Sequence, residues 1–539
     1  MRLRGADILV KGLQAAGVTR LFSLSGNHIM PIYDALLGSG IEVTHTRHEA
    51  AAVHMADAWA RLTGEVGVAL VTAGQGHANA AAALCTALHG EVPLLLLSGQ
   101  APLNQAGLGG FQEMDQPAMA APVTKAAWAA QSTAGLAADV ARAFAIARSG
   151  RPGPVHLSLP TDVVEASVED AAIPNIAAFS VQPMPLSAST AALVAAAVAG
   201  AARPLLVAPP ALCTPRGFAA IAALEAASGL PVLPMQSPRG LGDPSLGLVR
   251  EVLGKADLIV LIGKPLDFTL GFGRAPAIAA DCCWILLEPD AALLARGQKL
   301  LGERLLFGAL ADATHAAVTL AATFTPTPSQ ADWAETVREA VAWRPAGWAA
   351  LAGAPPGPIR SATLCHAVND AVARHGATFV ADGGEIGQWG MSLVKAETRM
   401  LNGVAGAIGI GIPFAIGSRA AKPAPTLALM GDGSFGFHMA EIDTAVRYGL
   451  PFVAVVGNDG RWNAEHQIQL RDYGANRAHG CEMTPGTRYD LVATALGGHG
   501  EFVESAAEIG PAIDRAFASG RPAVVNVIID GQAAPTLKR

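Results

Sequence analysis

The fold is decided by one stretch of sequence, GDGSFGFHMAEIDTAVRYGLPFVAVVGNDG, residues 431–460. An apolar strand ends in Gly431-Asp432-Gly433, a helix follows, and a second apolar strand ends in Asn458-Asp459-Gly460. Because neighbouring parallel strands end at the same edge of a sheet, where ligands bind, Asp432 and Asn458 are expected to converge. The stretch therefore predicts an open α/β sheet with a polar site at the carboxyl ends of its strands.

The polar groups at these two strand ends have the chemistry of a divalent-cation site. The carboxylate of Asp432, the amide oxygen of Asn458 and the main-chain carbonyl of Gly460 suit Mg²⁺, which takes oxygen ligands together with phosphates. Gly433 lets the backbone approach a diphosphate, and a helix N-terminus at Ser434 favours its negative charge. We therefore expect a magnesium site beside a diphosphate site.

Length and composition extend this local pattern to several domains. The chain has 539 residues, whereas a domain typically has about 150. Short apolar runs alternate with longer Ala-rich stretches of helical character, which is typical of βαβ units and parallel sheets. Proline-rich breaks at 160–190 and 324–358 separate the segments. We expect α/β architecture with three doubly wound parallel-sheet domains over residues 1–165, 188–325 and 358–532.

Charge, cysteine usage and hydropathy exclude several classes of protein. Lys and Arg number 37 against 44 Asp and Glu, a net charge of −7, and there is no basic cluster for nucleic acid. The six Cys are too scattered for a disulfide framework. The N-terminal stretch does not resemble a signal peptide, and no apolar run approaches the roughly 18 residues of a membrane span. We expect a cytoplasmic enzyme acting on small molecules.

Three further segments carry candidate functional residues. HTRHEAAAVHMADAWARLTG (45–64) places Glu49 where a strand meets a helix, and NGVAGAIGIGIPFAIG (402–417) and ADGGEIGQW (381–389) are glycine-rich. Taken alone, a Glu at a helix start is usually a favourable charge on the helix dipole, and a glycine-rich segment is commonly only a turn. Their meaning depends on their combination with residues 431–460.

In combination, these segments resemble the thiamine-diphosphate enzymes of the acetolactate synthase, benzaldehyde lyase and 2-hydroxyacyl-CoA lyase superfamily. The resemblance spans residues 5–530, although the family usually has two adjacent Asn where this chain has Gly457-Asn458. It implies pyrimidine-binding, central and diphosphate-binding domains in that order. It also implies thiamine diphosphate held through Mg²⁺, with Asp432, Asn458 and the Gly460 carbonyl as the protein's metal ligands.

The resemblance also implies roles for individual residues. Glu49 would hydrogen-bond N1′ of the aminopyrimidine and so promote loss of the thiazolium C2 proton. The Gly406 carbonyl would accept from the 4′-amino group, and Ile408 would be the apolar wedge that bends the cofactor. Gly384 and Glu385 would approach the diphosphate from the other side. In this family the site lies between two subunits, which implies a homodimer or a dimer of dimers.

Other resemblances bear on the reaction. LSGQAPLNQAGLGGFQEMDQPAMAAPVTKAAW (97–128) resembles the acetolactate synthase segment around Phe111-Gln112-Glu113, which implies that the Gln112 amide faces a substrate-derived oxygen and that Phe111 borders the pocket. His28 follows the first turn, as an active-site His does in benzaldehyde lyase. In this chain, His28 would either relay a proton to an alkoxide, as the resemblance implies, or be a surface or capping residue.

The remaining features narrow the choice of substrate and cofactor. We expect the segment RWNAEHQIQ (461–469) to border the substrate pocket, with Trp462 and Ala464 as candidate lining residues. This segment lacks the Met-Val-Arg-Gln-Trp-Gln motif that is typical of biosynthetic acetolactate synthases. Pro209-Pro210 stands where a glycine-rich turn would favour a nucleotide, which argues against FAD. Acyl-CoA lyases tend to carry a longer C-terminal segment that closes over CoA, whereas only a short stretch follows the last apolar run here. This argues modestly against a CoA thioester as the substrate.

We therefore expect acetolactate synthase-like chemistry, in which a 2-oxo acid such as pyruvate loses CO₂ and its acyl unit is joined to a second carbonyl. The alternative is a benzaldehyde lyase-like or 2-hydroxyacyl-CoA lyase-like enzyme, acting on 2-hydroxy ketones or 2-hydroxyacyl thioesters without decarboxylation. A cofactor-binding scaffold without catalysis is disfavoured because Glu49, Gly406, Asp432 and Asn458 are all intact. An NAD-dependent dehydrogenase is disfavoured because no strand is followed by GxGxxG.

Overall fold

The computed structural model describes residues 2–181, 183–352 and 357–538. Within these ranges the chain forms three α/β units, each built on a parallel sheet of five or six strands. This confirms the fold class predicted from the alternation of apolar runs and helical stretches, while the domain boundaries stay predictions. None of the helices in the described ranges has the length and apolar character needed to cross a bilayer.

The first unit has a six-stranded parallel sheet in the order β3-β2-β4-β5-β7-β6 and a short antiparallel pair, β1 with β8. Its strands are β1 (Leu3–Arg4), β2 (Arg20–Ser23), β3 (Glu42–His45), β4 (Gly67–Val71), β5 (Leu94–Gln100), β6 (Ala126–Ala129), β7 (Pro154–Pro160) and β8 (Ser167–Val168). Its helices are α1 (Gly5–Ala15), α2 (Met30–Leu36), α3 (Glu49–Thr63), α4 (Gln75–His89), α5 (Gln116–Ala120), α6 (Leu136–Arg148) and α7 (Thr161–Glu165).

The central unit has a five-stranded parallel sheet in the order β10-β9-β11-β12-β13. Its strands are β9 (Pro204–Ala208), β10 (Val232–Pro234), β11 (Leu258–Ile262), β12 (Cys283–Glu288) and β13 (Leu305–Leu310). Its helices are α8 (Ala188–Gly200), α9 (Pro215–Ser228), α10 (Val249–Leu253), α11 (Ala291–Leu301), α12 (Ala313–Thr323), α13 (Ala331–Ala342) and α14 (Ala346–Ala349). Helix α13 lies in the segment expected to be a connector, yet it buries Trp333 and Val337 in the core of this unit.

The third unit has a six-stranded parallel sheet in the order β15-β14-β16-β17-β19-β18. Its strands are β14 (Thr378–Ala381), β15 (Arg399–Leu401), β16 (Thr426–Gly431), β17 (Val453–Asn458), β18 (His499–Val503) and β19 (Ala523–Ile528). Its helices are α15 (Ser361–His375), α16 (Gly384–Leu393), α17 (Gly411–Ala421), α18 (Asp432–His438), α19 (Glu441–Arg447), α20 (Asn463–Asp472), α21 (Tyr489–Ala495) and α22 (Ile509–Ala518).

The register of the third sheet brings the two ends of the 431–460 stretch together. Strands β16 and β17 are hydrogen-bonded neighbours, and Gly431 pairs with Gly457. Both strands are buried almost throughout. Their sequences are therefore continuously apolar, without the alternation of apolar and polar residues that a half-exposed strand shows. Asp432, which follows β16, and Asn458, the last residue of β17, therefore lie at the same edge of the sheet.

Helices α3 and α17 join the first and third units in one apolar core, which includes Val53, Met55, Phe414 and Ile416. The helices approach closely at Gly417, where a Cβ atom would lie 2.5 Å from the carbonyl oxygen of Met55. A side chain at this position would push the helices apart. This packing fixes the helix that begins with Glu49 against the helix that follows the glycine-rich loop at 402–411.

Candidate active site

A cavity of about 310 Å³ opens at the carboxyl edge of the third sheet. The loops and helix starts after β14, β16 and β17 form most of its wall, and Pro238 and Arg239 of the central unit complete it. Nine of the residues singled out in the sequence line this cavity: Gly384, Glu385, Gly406, Ile408, Asp432, Gly433, Ser434, Trp462 and Ala464. This cavity lies at the strand ends where the sequence predicts a polar site.

The candidate metal ligands Asp432 and Asn458 are both buried. One oxygen of Asp432 accepts from the main-chain N–H of Gly460 at 2.9 Å, and the other accepts from that of Gly433 at 3.0 Å. The Asn458 amide donates to the carbonyl oxygen of Thr487 at 3.0 Å. Its Oδ1 atom is buried and has no hydrogen-bond partner among the described residues. An orphaned buried acceptor beside a carboxylate fits an oxygen site for Mg²⁺.

The carbonyl of Gly460, the third ligand implied by the resemblance, is already engaged. It accepts a hydrogen bond from the main-chain N–H of Met483 at 2.7 Å. A carbonyl oxygen has two lone pairs, so this bond leaves one for a metal. Gly460 has φ +65, and its left-handed conformation turns the chain sharply away from β17. Its role as a ligand stays a prediction.

The helix after β16 begins earlier than the sequence indicated. Helix α18 starts at Asp432 rather than near Ser434 and ends at His438, after which α19 starts at Glu441. The Asp432 carboxylate accepts from an N–H of this first turn, which stabilises the early start. The first-turn residues Gly433 and Ser434 still line the cavity. A Cβ atom at Gly433 would lie 2.6 Å from the ring of Trp462, so glycine is required for the indole to cover this turn.

The electrostatics of this end of the cavity favour a cation. Burial raises the pKa of Asp432 to about 6. Burial, and secondarily the neighbouring Asp432 carboxylate, raise the pKa of Asp459 to about 7. A divalent cation would stabilise both ionised carboxylates. No three His, Cys, Asp or Glu side chains cluster as metal ligands anywhere in the described ranges, so a metal here needs amide, main-chain and phosphate oxygens as well.

The glycine-rich loop that carries Ile408 is held by Asp382, a residue that the sequence analysis missed. The fully buried Asp382 carboxylate accepts from the main-chain N–H groups of Gly383, Gly409 and Gly411, at 2.6, 3.0 and 2.7 Å. Burial nevertheless raises the pKa of Asp382 to about 6. The sequence places Asp382 between an apolar strand and two glycines. A carboxylate in such a turn can accept hydrogen bonds from several main-chain N–H groups, and this pattern could have identified Asp382 as a candidate.

A second contact holds the same loop from the opposite side. His438, the last residue of α18, is buried, and its Nδ1 lies 2.7 Å from the carbonyl oxygen of Gly409. Because a carbonyl oxygen only accepts, Nδ1 carries the proton and donates. Gly409 is therefore bound through its N–H by Asp382 and through its carbonyl by His438. Ile408, the adjacent residue, is correspondingly fixed where it lines the cavity.

Glu385 makes contacts that differ from a simple diphosphate-binding role. Its carboxylate accepts from the main-chain N–H of Ala534 and lies 3.8 Å from the guanidinium of Arg239. Burial raises the pKa of Glu385. The side chain thus connects the third unit to the central unit and to the segment after β19 at the rim of the cavity. Gly384, by contrast, has φ +81 and starts helix α16 at the cavity wall.

Glu49 belongs to a separate group of residues in the first unit. It is the first residue of α3 and is 8% exposed. Its Oε2 accepts from the amide of Asn79 at 3.0 Å. Its Oε1 lies near Gly76, where a Cβ atom would be 3.4 Å away. Asn79 thus holds one carboxylate oxygen, and Gly76, which has no side chain, leaves space beside the other one.

His28, Phe111 and Gln112 lie together in this same unit. The Nε2 atom of His28 is 3.2 Å from the carbonyl oxygen of Phe111, and the two rings stack with centroids 5.7 Å apart. Burial lowers the pKa of His28, and its buried Nδ1 has no partner within the described chain. The Phe111 side chain is 68% exposed. Gln112 has φ +57, a strained conformation of the kind that clusters at functional sites.

The structure therefore presents two groups of candidate residues. In the third unit, the diphosphate candidates and Asp432 line one cavity, whereas Asn458 and Gly460 lie at the neighbouring strand end and are not among the residues that line it. Glu49, His28, Phe111 and Gln112 lie on the first unit. Within the described residues, none of these four lines that cavity. Each group has the polar and strained features of a functional site, but the single chain does not join the groups in one cavity.

Comparison with known proteins gives concordant matches over both groups. The model of the thiamine pyrophosphate enzyme N-terminal TPP binding domain matches residues 3–119, and that of the C-terminal TPP binding domain matches residues 382–527. A probable acetolactate synthase of Mycobacterium bovis is 33% identical, over 99% of this chain and 97% of the relative. Human 2-hydroxyacyl-CoA lyase 2 is 30% identical, over 97% of this chain and 90% of the relative.

Proposed function

This chain belongs to the thiamine pyrophosphate enzyme family, and we propose that it is an acetolactate synthase-like enzyme that forms and cleaves carbon–carbon bonds next to a carbonyl. In the proposed reaction a 2-oxo acid such as pyruvate loses CO₂, and its acyl unit is joined to a second carbonyl compound. The observation that carries the proposal is the pair formed by the Asp432 carboxylate and the orphaned Asn458 Oδ1 at adjacent strand ends.

Thiamine diphosphate supplies a nucleophilic carbon that adds to a carbonyl and accepts the electron pair released when the neighbouring bond breaks. In this proposal Asp432, Asn458 and the Gly460 carbonyl hold Mg²⁺ against the diphosphate. Gly433 and Ser434, in the first turn of α18, face its negative charge. The fixed loop after Gly406 would place Ile408 as an apolar wedge against the cofactor and so help to bring its reacting groups together.

Glu49 controls a proton in this proposal. Its carboxyl would hydrogen-bond N1′ of the aminopyrimidine and hold the proton there, which would promote loss of the thiazolium C2 proton. Asn79 holds one carboxyl oxygen at 3.0 Å, which leaves the other for this bond. The buried helix start excludes water from the carboxyl and fixes its direction.

The substrate end of the proposed site combines charge with apolar surface. Arg461 and Arg239 line the cavity together with Trp462 and Ala464. A guanidinium recognises the carboxylate of a 2-oxo acid or the oxygens of a diphosphate. The amide of Gln112 donates to the oxygen that develops from the substrate carbonyl. These features support an anionic substrate with a small acyl group.

We further propose that two copies of the chain complete each site, as a homodimer or a dimer of dimers. Glu49 and Gln112 lie outside the cavity that Asp432 lines, whereas the chemistry needs all of them at one cofactor. In a two-fold symmetric dimer, the first unit of one copy faces the third unit of the other, and both sites are completed at once.

A specific observation favours lyase activity as the second candidate. His28 is 3% exposed and stacks on Phe111 beside Gln112. Burial lowers its pKa, so the imidazole is neutral near pH 7 and can accept the proton of a substrate hydroxyl. When the carbon–carbon bond of a 2-hydroxy ketone or a 2-hydroxyacyl thioester breaks, the hydroxyl loses that proton and its oxygen becomes the carbonyl oxygen of the released aldehyde. This candidate needs no decarboxylation.

The two candidates are distinguished by product NMR in the presence of thiamine diphosphate and Mg²⁺. Pyruvate is supplied in one reaction, a 2-hydroxy ketone such as benzoin in a second, and a 2-hydroxyacyl-CoA in a third. Acetolactate that is absent with Glu49→Gln supports the synthase proposal. Aldehyde or acyl-CoA products without CO₂ release, lost in His28→Ala, support the lyase. Protein that binds the cofactor but converts none of these substrates would contradict both.

A further inference from the structure

We propose that Gln116 is a positioning residue that holds together two main-chain segments, at Gly74 and Gly99, against which Glu49, Gln112 and His28 rest. The inference rests on the proposed function, because it assigns these three residues to one catalytic site. Gln116 itself touches neither the cavity nor, in the proposed site, the substrate. It acts through two main-chain segments that lie directly behind the three side chains.

The hydrogen bonds of Gln116 connect three different segments of the first unit. It is the first residue of α5 and is fully buried. Its Oε1 accepts from the main-chain N–H of Gly74 at 2.8 Å. Its Nε2 donates to the carbonyl oxygen of Gly99 at 2.9 Å and to the hydroxyl of Ser158 at 3.0 Å. Because these atoms are buried, losing the amide leaves main-chain groups without a partner.

Gly74 lies behind Gln112 and close to Glu49. It has φ +59 in the turn between β4 and α4, and a Cβ atom there would lie 2.9 Å from the Cβ of Gln112. Two residues later, Gly76 faces the Oε1 of Glu49, with 3.4 Å between that oxygen and the position of a Cβ atom. A displacement of this turn would therefore move the surfaces against which both side chains rest.

Gly99 lies behind His28 in the same way. It is near the end of β5, and a Cβ atom there would lie 2.6 Å from the Cβ of His28. The Gln116 amide therefore binds the turn behind Glu49 and Gln112 with its oxygen and the strand end behind His28 with its nitrogen. Only a side chain that accepts and donates at once satisfies both segments.

Two measurements on Gln116→Met test the proposal, with the exposed Gln131→Met of the same unit as the matched control. Hydrogen–deuterium exchange is expected to rise in peptides covering residues 72–78 and 97–101 and to stay unchanged in the third unit. The kcat is expected to fall about 10- to 100-fold, as for a slight misplacement of reacting groups, with cofactor affinity unchanged. Unchanged exchange in both peptides, or increased exchange with full kcat, would overturn the proposal.

A rescue variant keeps the test decisive if Gln116→Met does not fold. In Gln116→Glu, a protonated carboxyl accepts from Gly74 and donates to Gly99, whereas an ionised carboxylate repels the Gly99 carbonyl. Activity relative to wild type should therefore rise as pH falls, and a ratio that does not change with pH would overturn the proposal. If wild type converts no substrate, the proposed function fails, while exchange in Gln116→Glu across the same pH range still decides whether Gln116 holds both segments.

Discussion

The carboxylate of Asp432 accepts a hydrogen bond from the main-chain N–H of Gly460 at 2.9 Å. This bond joins the turn after β16 to the turn after β17, so the two ends of the 431–460 stretch are locked to each other by the protein itself. The paired Gly431 and Gly457 set the same register. The proposed metal site is therefore largely preorganised, and a cation would find its ligands already in place.

Removing a proposed metal ligand should weaken binding of the cofactor with Mg²⁺. We expect Asp432→Asn and Asn458→Ala each to weaken it by at least the 10- to 100-fold typical of losing an outer partner of a metal ligand. Quenching of the fluorescence of Trp462, which lies against Gly433, provides the binding signal. Asp170→Asn, a change at an exposed site, serves as the control. Wild-type affinity in both ligand variants would contradict the assignment.

Removing the proton-handling carboxyl should separate binding from turnover. We expect Glu49→Gln to bind thiamine diphosphate and Mg²⁺ as wild type does but to lose about 100- to 10,000-fold in turnover, the usual contribution of a positioned acid or base. Glu65→Gln, on the exposed side of the same unit, should retain full activity. Cofactor titration and product formation are measured on the same samples. Full turnover in Glu49→Gln would remove Glu49 from the proposed mechanism.

Asp382 should matter for both stability and cofactor binding. In Asp382→Asn the amide nitrogen faces at least one main-chain N–H of the loop, and that buried donor loses its acceptor. We expect the free energy of unfolding to fall by about 1–3 kcal/mol and cofactor affinity to fall with it. Urea unfolding of this variant is compared with that of Asp370→Asn, an exposed change. Equal stabilities would show that the carboxylate does not hold the loop.

The contact between the first and third units should weaken as pH rises. Buried Glu441 accepts from the main-chain N–H of Arg47 at 2.9 Å and from the hydroxyl of Thr444 at 2.6 Å. Burial outweighs these bonds and the nearby Arg447, and it raises the pKa of Glu441 to about 7. The folded protein thus retains a proton that the unfolded chain releases at lower pH. This contribution to stability is present at acidic pH and is lost as pH rises through about 7.

The pH prediction is checked by thermal unfolding between pH 5 and pH 8. Wild type and Glu441→Gln are compared under identical buffers, because other groups also titrate in this range. The melting temperature of wild type relative to the variant is expected to decrease with pH. A constant difference between the two would show that Glu441 titrates alike in the folded and unfolded chains.

The sequence predicts the third unit well because its signals are local. Strand ends, a carboxylate and glycines lie within residues 431–460, and parallel pairing alone brings Asp432 beside Asn458. The early start of α18 at Asp432 was missed because the sequence does not show that the Asp432 carboxylate accepts from the N–H of Gly433. The second bond to this carboxylate, from the N–H of Gly460, forms only once β16 and β17 are paired.

Long-range contacts were beyond the reach of sequence reasoning. Asp382 reaches Gly409 and Gly411 across a loop, and Gln116 reaches Gly99 across the first sheet. Neither contact follows a helical or strand period, so the sequence can at most single out Asp382 beside its two glycines and does not identify the partners of either side chain. The contacts of Glu385 with Ala534 and Arg239 likewise depend on how separate units pack.

If two copies of the chain share each thiamine-diphosphate site, mixing two inactive variants should restore activity. Glu49→Gln and Asp432→Ala are each purified, unfolded and refolded together in equal amounts, and turnover is measured. If sites form between copies, each mixed dimer has one intact site, and about a quarter of wild-type activity should return. Activity no greater than that of the separately refolded variants would contradict the shared site.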